Sequence, residues 1–585
     1  MFIQESCQPV RLGANLKFYV NLFLEGRRGN VMGAEKRTGG QLLVSCLKNL
    51  GVETSFGVPG ESYLAVLDAL YDVDIQFVLC RQEGAAGFAS AAWGKLTGQP
   101  GVCFVTRGPG ATNASIGVHT AMQDSSPMLL FVGQIGVGHK EREAFQEVDY
   151  RAFFGSMAKW ATEIDDADRI PEIVGRAWRV ALSGRPGPVV IALPEDMLTT
   201  LTSVQPCKKI AVAEAGVDTK SQTDVATILS AAERPLVLAG GGGWTKQGKA
   251  DVQAFCEREN LPFVALFRYH DIIDNHSRCY VGDAGVGMAP HITKAIEDAD
   301  VILAVNARFG EATTQAWTLL DVPYPKQRII QTHASDAEIG KIYQPELAIH
   351  AGPNRFSAAL LEMTLDGSNL AQRADWLAGL KTAYKASLRP PAQNSPVDMA
   401  AVMAWLQDNL PDDVIITNGA GNFALWPNKV FCYGQGQSLL APQSGAMGYG
   451  LPAAIAASIA CPNRQVVCFA GDGDIQMGLA ELGTAVQSGA RPVIVLLNNG
   501  SYGTIRMHQE RDYPDRISGT TLVNPDFTAV AQAYGMVGIR VDRTEDFAEA
   551  FSAAVASATG GIIELDISVE AITPRTTLSA LKAKR

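Results

Sequence analysis

A glycine–aspartate–glycine triplet, Gly471-Asp472-Gly473, is followed after 24 residues by the pair Asn498-Asn499. Asp472 offers a carboxylate and Asn499 an amide carbonyl. The main-chain carbonyl of the next turn, at Ser501, would add a third oxygen. Oxygen donors of this kind suit a hard cation such as Mg²⁺, which takes one or two protein oxygens and shares the rest of its shell with phosphates. Gly471 and Gly473 let the backbone come close to a ligand. A helix start near Asp474 favours an anion. The chemistry these residues point to is a divalent cation holding a phosphate group.

The elements that must position them can be read around the motif. The apolar run Gln465-Val-Val-Cys-Phe-Ala470 reads as a strand that ends at the triplet. Ile475, Leu479, Leu482 and Val486 share one helical face, and Gly489 can stop that helix. A second strand, Pro492-Val-Ile-Val-Leu-Leu497, ends at the asparagine pair. Two neighbouring parallel strands then aim Asp472 and Asn499 into one crevice at their carboxyl ends, the place where open α/β sheets bind ligands.

On these motifs the chain, from about residue 38 to 575, resembles the thiamine-diphosphate enzymes of the acetolactate synthase and 2-oxoacid decarboxylase group. The resemblance implies that Asp472, Asn499 and the carbonyl of Ser501 hold Mg²⁺. It places Gly421, Asn422 and Phe423, in Asn418-Gly-Ala-Gly-Asn-Phe423, against the diphosphate. Gly471, Gly473, Asp474, Asn498 and Tyr502 complete that side. Met447, in Ser444-Gly-Ala-Met-Gly448, matches the apolar residue that bends the coenzyme, and the carbonyl of Gly445 would accept its aminopyrimidine N–H. Glu83, in Arg81-Gln-Glu-Gly-Ala-Ala-Gly-Phe-Ala-Ser90, matches the catalytic glutamate that hydrogen-bonds N1′ of the pyrimidine. Taken alone, Glu83 is a first-turn carboxylate suited to a helix dipole.

Phe56-Gly-Val-Pro59-Gly60 and Gly108-Pro-Gly110-Ala-Thr-Asn113 resemble the loops that line the cofactor cleft. Glu61, Thr106 and Arg107 flank them where relatives place substrate-facing groups, and Arg107 could meet a carboxylate. Phe145-Gln-Glu147 and Lys159 resemble positions near the site entrance. His508 departs from the pattern: biosynthetic relatives usually carry tryptophan there, so the acceptor is left open. The central unit bears on FAD. Gly241 and Gly242, Arg308 and Asp336 resemble flavin-binding segments, but Gly310-Glu311 stand where relatives have aspartates, and a glycine cluster after a strand is a weak sign by itself.

The expected activity is that of an acetolactate-synthase-type carboligase acting on pyruvate or a related 2-oxoacid. Alternatives are a non-oxidative decarboxylase or aldehyde lyase resembling benzoylformate decarboxylase or benzaldehyde lyase, an FAD-dependent oxidase of the pyruvate oxidase kind, and a non-catalytic paralogue. The motif residues do not separate the first three. Partners would be small oxoacid and aldehyde substrates and further copies of the chain, as a homodimer or homotetramer with its site between two subunits.

Alternating strands and helices over 585 residues imply three doubly wound parallel sheets of α/β class. The expected limits are an extension over 1–37, then domains over 38–205, 223–385 and 396–575. The outer two are similar in size, which leaves room for an old duplication. A net charge of −11 argues against a sequence-independent grip on nucleic acid. The ten cysteines form no CxxC pair, which speaks against a zinc site or a disulfide framework. No run is long enough to span a membrane. The apolar stretch Leu16–Leu24 is broken by Lys17 and Asn21 and followed by Arg27-Arg28, a poor secretory signal, so a cytoplasmic protein is expected, with Met32 a candidate natural start.

Overall fold

The computed structural model describes residues 36–583; the expectations for the first 31 residues and Met32 fall outside the described residues. Three six-stranded parallel sheets carry the chain. The first runs in the spatial order Gln76–Leu79, Thr54–Gly57, Gly101–Val105, Met128–Gln134, Pro188–Pro194, Trp160–Glu163. Numbered by sequence, that order is 2-1-3-4-6-5. The third sheet has the same order: Ser438–Leu440, Ile415–Asn418, Val466–Gly471, Val493–Asn498, Gly561–Asp566, Val537–Val541. The middle sheet differs, running 3-2-1-4-5-6 from Tyr280–Ala284 through Phe263–Leu266, Pro235–Ala239, Val301–Val305 and Arg328–His333 to Leu347–His350.

Strands such as Val466–Gly471 and Met128–Gln134 are buried along their whole length. Their continuous apolar runs, with no alternation, are what a sheet covered on both faces requires. One core joins the first and third units: Phe56, Val78 and Phe88 belong to the same buried cluster as Ile455, Cys468 and Leu496. The helices Glu83–Thr97 and Gly450–Ala460 pack together within it, with Phe88 edge-on to Tyr449 at 5.6 Å.

Two elements differ from the reading of the sequence. The stretch after residue 200 contains a short strand, Leu201–Thr202, paired antiparallel with Arg37–Thr38, and the helix Thr219–Ala231 begins inside it. The helix expected over 475–486 is broken into Asp472–Ile475, a 3₁₀ turn Leu479–Glu481 and Leu482–Ser488. The break falls at Met477-Gly478, where a side chain at Gly448 would meet Met477 Cβ at 2.8 Å. Gly489 caps the last piece in the left-handed region, as expected. Among the described residues the cysteines are all unbridged, and no helix is long and apolar enough to cross a membrane.

The helices Glu83–Thr97 and Gly108–Asp124 touch through glycine. A Cβ on Gly117 would lie 2.5 Å from the Gly87 backbone. That contact sets how closely the two helices lie along their middle turns. Gly117→Ala therefore forces them apart, and a loss of about 1–3 kcal/mol is expected from overpacking. A lowered denaturant midpoint checks it, with an unchanged midpoint as the contrary result.

Candidate functional site

Glu83 opens its helix, with the Gln82 side chain capping the Ala85 N–H. Asn113, one turn into the neighbouring helix, donates from Nδ2 to Glu83 Oε2 at 2.9 Å. Gly110 leaves room on the other side: a Cβ there would sit 3.0 Å from Thr106 Cγ2 and 3.5 Å from Glu83 Oε1. Gly60 is required by Thr106, whose Cβ is 2.4 Å from the position of a side chain at 60. Thr106 in turn is hydrogen-bonded to Ser62 at 2.9 Å. Pro59 is exposed on the same loop. Glu83, Asn113, Gly110, Thr106 and Gly60 thus form one group at the strand ends of the first sheet.

The second group lies at the ends of Val466–Gly471 and Val493–Asn498. Their register sets Gly471 opposite Leu497, so Asp472 and the asparagine pair leave the sheet side by side. The Ser501 N–H donates to Asp472 Oδ2 at 3.2 Å and to Asn499 Oδ1 at 3.1 Å. Burial pushes the Asp472 carboxyl up; hydrogen bonds from Asn524 and from the Gly473 and Ser501 amides pull the other way. Among the described residues no three His, Cys, Asp or Glu side chains converge on a metal position. A single carboxylate with amide and main-chain oxygens instead fits a cation that draws its remaining ligands from a diphosphate.

Other residues of this half have roles the sequence did not show. Gly471 and Gly473 seat aromatic rings: a Cβ at 471 would meet Phe423 Cδ1 at 2.7 Å, and one at 473 would meet Tyr502 Cε1 at 2.5 Å. Asn498, expected as a cofactor contact, also holds protein groups: its Nδ2 donates to Glu564 at 2.7 Å and its Oδ1 accepts from Asn524 and the Gly500 N–H. Asp474 is likewise a tie between loops. It is buried, accepts from the Gly448 N–H at 3.0 Å and the Ala420 N–H at 3.2 Å, and burial pushes its carboxyl up to about 7. It thereby joins the loop of Gly421, Asn422 and Phe423 to the loop of Gly445 and Met447. Asn422 accepts from Thr504 at 3.0 Å.

The Gly445–Met447 loop is also pinned by the first unit. Asp124 accepts from the Gln443 N–H at 2.5 Å, Lys95 donates to the Ala441 carbonyl at 2.7 Å, and Thr120 meets Ser444 at 2.9 Å. Arg268 arrives from the middle unit. Its backbone is left-handed at φ 62°, its side chain is buried, and Nη1 donates to the Gly419 carbonyl at 3.0 Å. A lone arginine between Phe267 and Tyr269 has no spacing signal, so the sequence could not reveal it.

Among the flanking groups, Arg107 is 5% exposed and already paired, with Glu61 and with Glu195 at 3.4 Å. Its guanidinium lies 5.9 Å from the centre of the exposed Phe145 ring. Glu147 folds the neighbouring loop by accepting the Glu141 and Ala144 N–H groups. Lys159 donates to the carbonyls of Val180 and Ser183 at the end of the helix Ile170–Leu182. His508 is half-buried on the helix Gly503–Asp512, and its Nδ1 has no partner.

The flavin-like segment is largely spent on protein contacts. Side chains at Gly241 and Gly242 would collide with Asn306 and with the Ser125 backbone, and Asn306 Nδ2 donates to the Gly240 and Gly242 carbonyls. Arg308 donates to the Gln123 carbonyl at 2.8 Å and lies 3.7 Å from Glu338. Asp336 borders a cleft of about 1550 Å³, shared with Gly241, Gly242, Trp244 and Asn354.

Sequence comparison reaches into each of the three sheets. Residues 37–153 match the N-terminal TPP-binding domain of thiamine pyrophosphate enzymes, 223–360 the central domain, and 419–567 the C-terminal TPP-binding domain. The acetolactate synthase large subunit of Parasynechococcus marenigrum is 31% identical over 91% of this chain and 87% of its own length. The large subunit of isozyme 2 from Escherichia coli is 30% identical over 87% and 91%, and the large subunit from Lactococcus lactis 32% over 88% and 90%. The chain belongs to the thiamine pyrophosphate enzyme family, in its acetolactate synthase-like branch.

Because Phe423 fills the space above Gly471, Gly471→Ala should displace the ring and weaken coenzyme binding at least tenfold while the third sheet stays folded. A coenzyme titration checks this, and wild-type affinity would contradict the seating role.

Proposed function

We propose that the chain is a thiamine-diphosphate- and Mg²⁺-dependent carboligase that decarboxylates pyruvate or a related 2-oxoacid and joins the remaining acyl unit to a second carbonyl compound. The observation that supports this best is the convergence of Asp472, Asn499 and Ser501 on one amide, beside the Gly421–Phe423 loop. Asp472, Asn499 and the Ser501 carbonyl would hold the cation, and the cation the diphosphate. Bound there, the coenzyme supplies the nucleophile and the electron sink for loss of CO₂. Glu83 keeps a proton at the pyrimidine ring nitrogen, and Asn113 fixes the carboxylate that does so. Met447 and Gly445, on a loop pinned from both sides, hold the ring's bend and orientation.

No hydrogen bond or ion pair joins Glu83 to Asp472, Asn499 or Ser501 among the described residues of one chain. A site in which Glu83 comes from one copy and the cation from another accounts for this, as a homodimer or a pair of dimers. We assign the domains to 38–205, 223–385 and 396–575, and the protein to the cytoplasm. A substrate carboxylate would compete with Glu61 and Glu195 for Arg107, and His508 would face the second carbonyl compound. The reaction transfers no electrons to a redox carrier, so flavin in the cleft beside Asp336 would be a passenger.

Pyruvate, thiamine diphosphate and Mg²⁺ should yield acetolactate or another carbon–carbon product, read by mass spectrometry over a panel of oxoacid and aldehyde acceptors. Free aldehyde alone would favour the decarboxylase reading, and bound flavin reduced by substrate the oxidase reading. Glu83→Gln should retain coenzyme but slow exchange of its C2 proton by about two orders of magnitude or more, on the scale of general acid–base contributions; unchanged exchange by NMR removes the assignment. His508→Ala should alter the KM for the second substrate more than for the first, and equal effects on both would place it elsewhere.

A further inference from the structure

The Asp472 carboxylate is steered by a residue 52 positions away. Asn524 donates from Nδ2 to Asp472 Oδ2 at 2.7 Å and to Asn498 Oδ1 at 2.9 Å. Its own Oδ1 accepts from Gln476 Nε2 at 3.0 Å, and the same Gln476 nitrogen donates to the Asp472 main-chain carbonyl at 3.0 Å. Both oxygens at the ends of this amide's donors are otherwise engaged: Asn498 Oδ1 takes the Gly500 N–H, and Asp472 Oδ2 takes the Ser501 N–H. The amide therefore has one orientation, set by Gln476 on its oxygen and by two acceptors on its nitrogen.

The segment that carries Asn524 is held by polar contacts. Tyr502 N–H and Ser501 Oγ both donate to the Thr520 carbonyl, at 2.8 and 2.9 Å, and the Leu522 N–H donates to the Gly500 carbonyl at 2.8 Å. Ser501 and Thr521 form a β-bridge. Val523, next to Asn524, is 99% exposed and adds no packing. Thr520–Asn524 is thus a strap laid across the turn that would supply the cation's ligands, and Asn524 is where it touches a ligand side chain.

We propose that Asn524 is a positioning residue for the cation: by occupying Asp472 Oδ2 together with the Ser501 N–H, it leaves Oδ1 as the oxygen presented to Mg²⁺. An oxygen with two donors has both lone pairs in use, so rotation of the carboxylate would break two hydrogen bonds to offer the cation the other atom. Partners of this kind typically contribute 10- to 100-fold to metal affinity. The inference rests on the Mg²⁺ reading of Asp472 given above.

The test is a Mg²⁺ titration of the full-length chain at saturating thiamine diphosphate, followed by calorimetry. Asn524→Ala should raise the Mg²⁺ Kd at least tenfold while its melting midpoint without Mg²⁺ stays at the wild-type value. Turnover should return to within about threefold of wild type once Mg²⁺ is saturating, on the affinity scale just given. Gln476→Met leaves Asn524 in place but frees its amide, and should raise the Kd at least threefold; it carries the test if the alanine variant does not fold. Wild-type Mg²⁺ affinity in either folded variant, or a turnover loss that excess Mg²⁺ does not repair, overturns the role of Asn524. Failure of the wild-type chain to bind Mg²⁺ with the coenzyme would instead overturn the cation site itself, and this inference with it.

Discussion

A single carboxylate, buried at the ends of two neighbouring parallel strands, is the constraint around which this molecule is arranged. Asp472 is 3% exposed, and a buried charge is costly unless it is paired or coordinates a metal. Protein groups answer part of that cost: the Ser501 amide and the Asn524 side chain take one oxygen, and the Gly473 amide also donates to the carboxylate. Under the proposed function a cation completes the pairing. Because the carboxylate must keep a fixed direction, the turn that follows it, the strap over 520–524 and the asparagine pair are all tied to it or to each other. The glycines on either side serve the same end, since Phe423 and Tyr502 can close over the turn only where no Cβ intervenes.

The first and third sheets share the strand order 2-1-3-4-6-5, and their chemistry falls at matching places. After strand 1 come the Gly57–Gly60 loop and the Gly419–Phe423 loop. After strand 2 come Glu83 in one unit and Met447 in the other. After strand 3 come the Gly108-Pro-Gly110 turn and the Gly471-Asp-Gly473 turn. Under the proposed function one topology carries a proton-holding end and a cation-holding end, the pattern an old duplication would leave. The middle sheet has the order 3-2-1-4-5-6 usual for dinucleotide binding. Its glycine loop is nonetheless packed on Asn306 and Ser125, so its switch point works in part as a joint between units.

The sheets and the placement of Asp472 beside the asparagine pair were legible because both are local signals. Five- and six-residue apolar runs ending in glycine or asparagine need no long-range information to be read as buried parallel strands, and the spacing from Asp472 to Asn499 follows from one strand–helix–strand passage. What was illegible depends on distant partners. The helix break at Met477-Gly478 follows from the approach of Gly448, which no window around residue 477 contains. That Lys159 caps a helix could not be read either, because its acceptors, Val180 and Ser183, lie on a later element. Asn498 and Asp474 also tie the protein together, through Glu564, Ala420 and Gly448, partners that their place in the motif does not announce. Asn524 and Arg268 had no motif at all; each is defined by the atom it reaches.

Under the proposed function the same reasoning bears on how substrates would be selected. Arg107, Glu61 and Glu195 form a group of net charge −1, in which the cation is the buried member and both acids are more open. A buried guanidinium that lost both acids would be left costly and unpaired, so its pairing must persist through any exchange of partners. A 2-oxoacid has the bidentate carboxylate that can replace one glutamate without leaving the charge bare. A neutral aldehyde cannot make that exchange and would leave the trio intact. Substrates that carry a carboxylate and substrates that lack one would therefore meet two different walls at this edge of the site. The discrimination would then lie in whether Glu61 or the substrate occupies the guanidinium, a competition set by residues outside the coenzyme-binding turns.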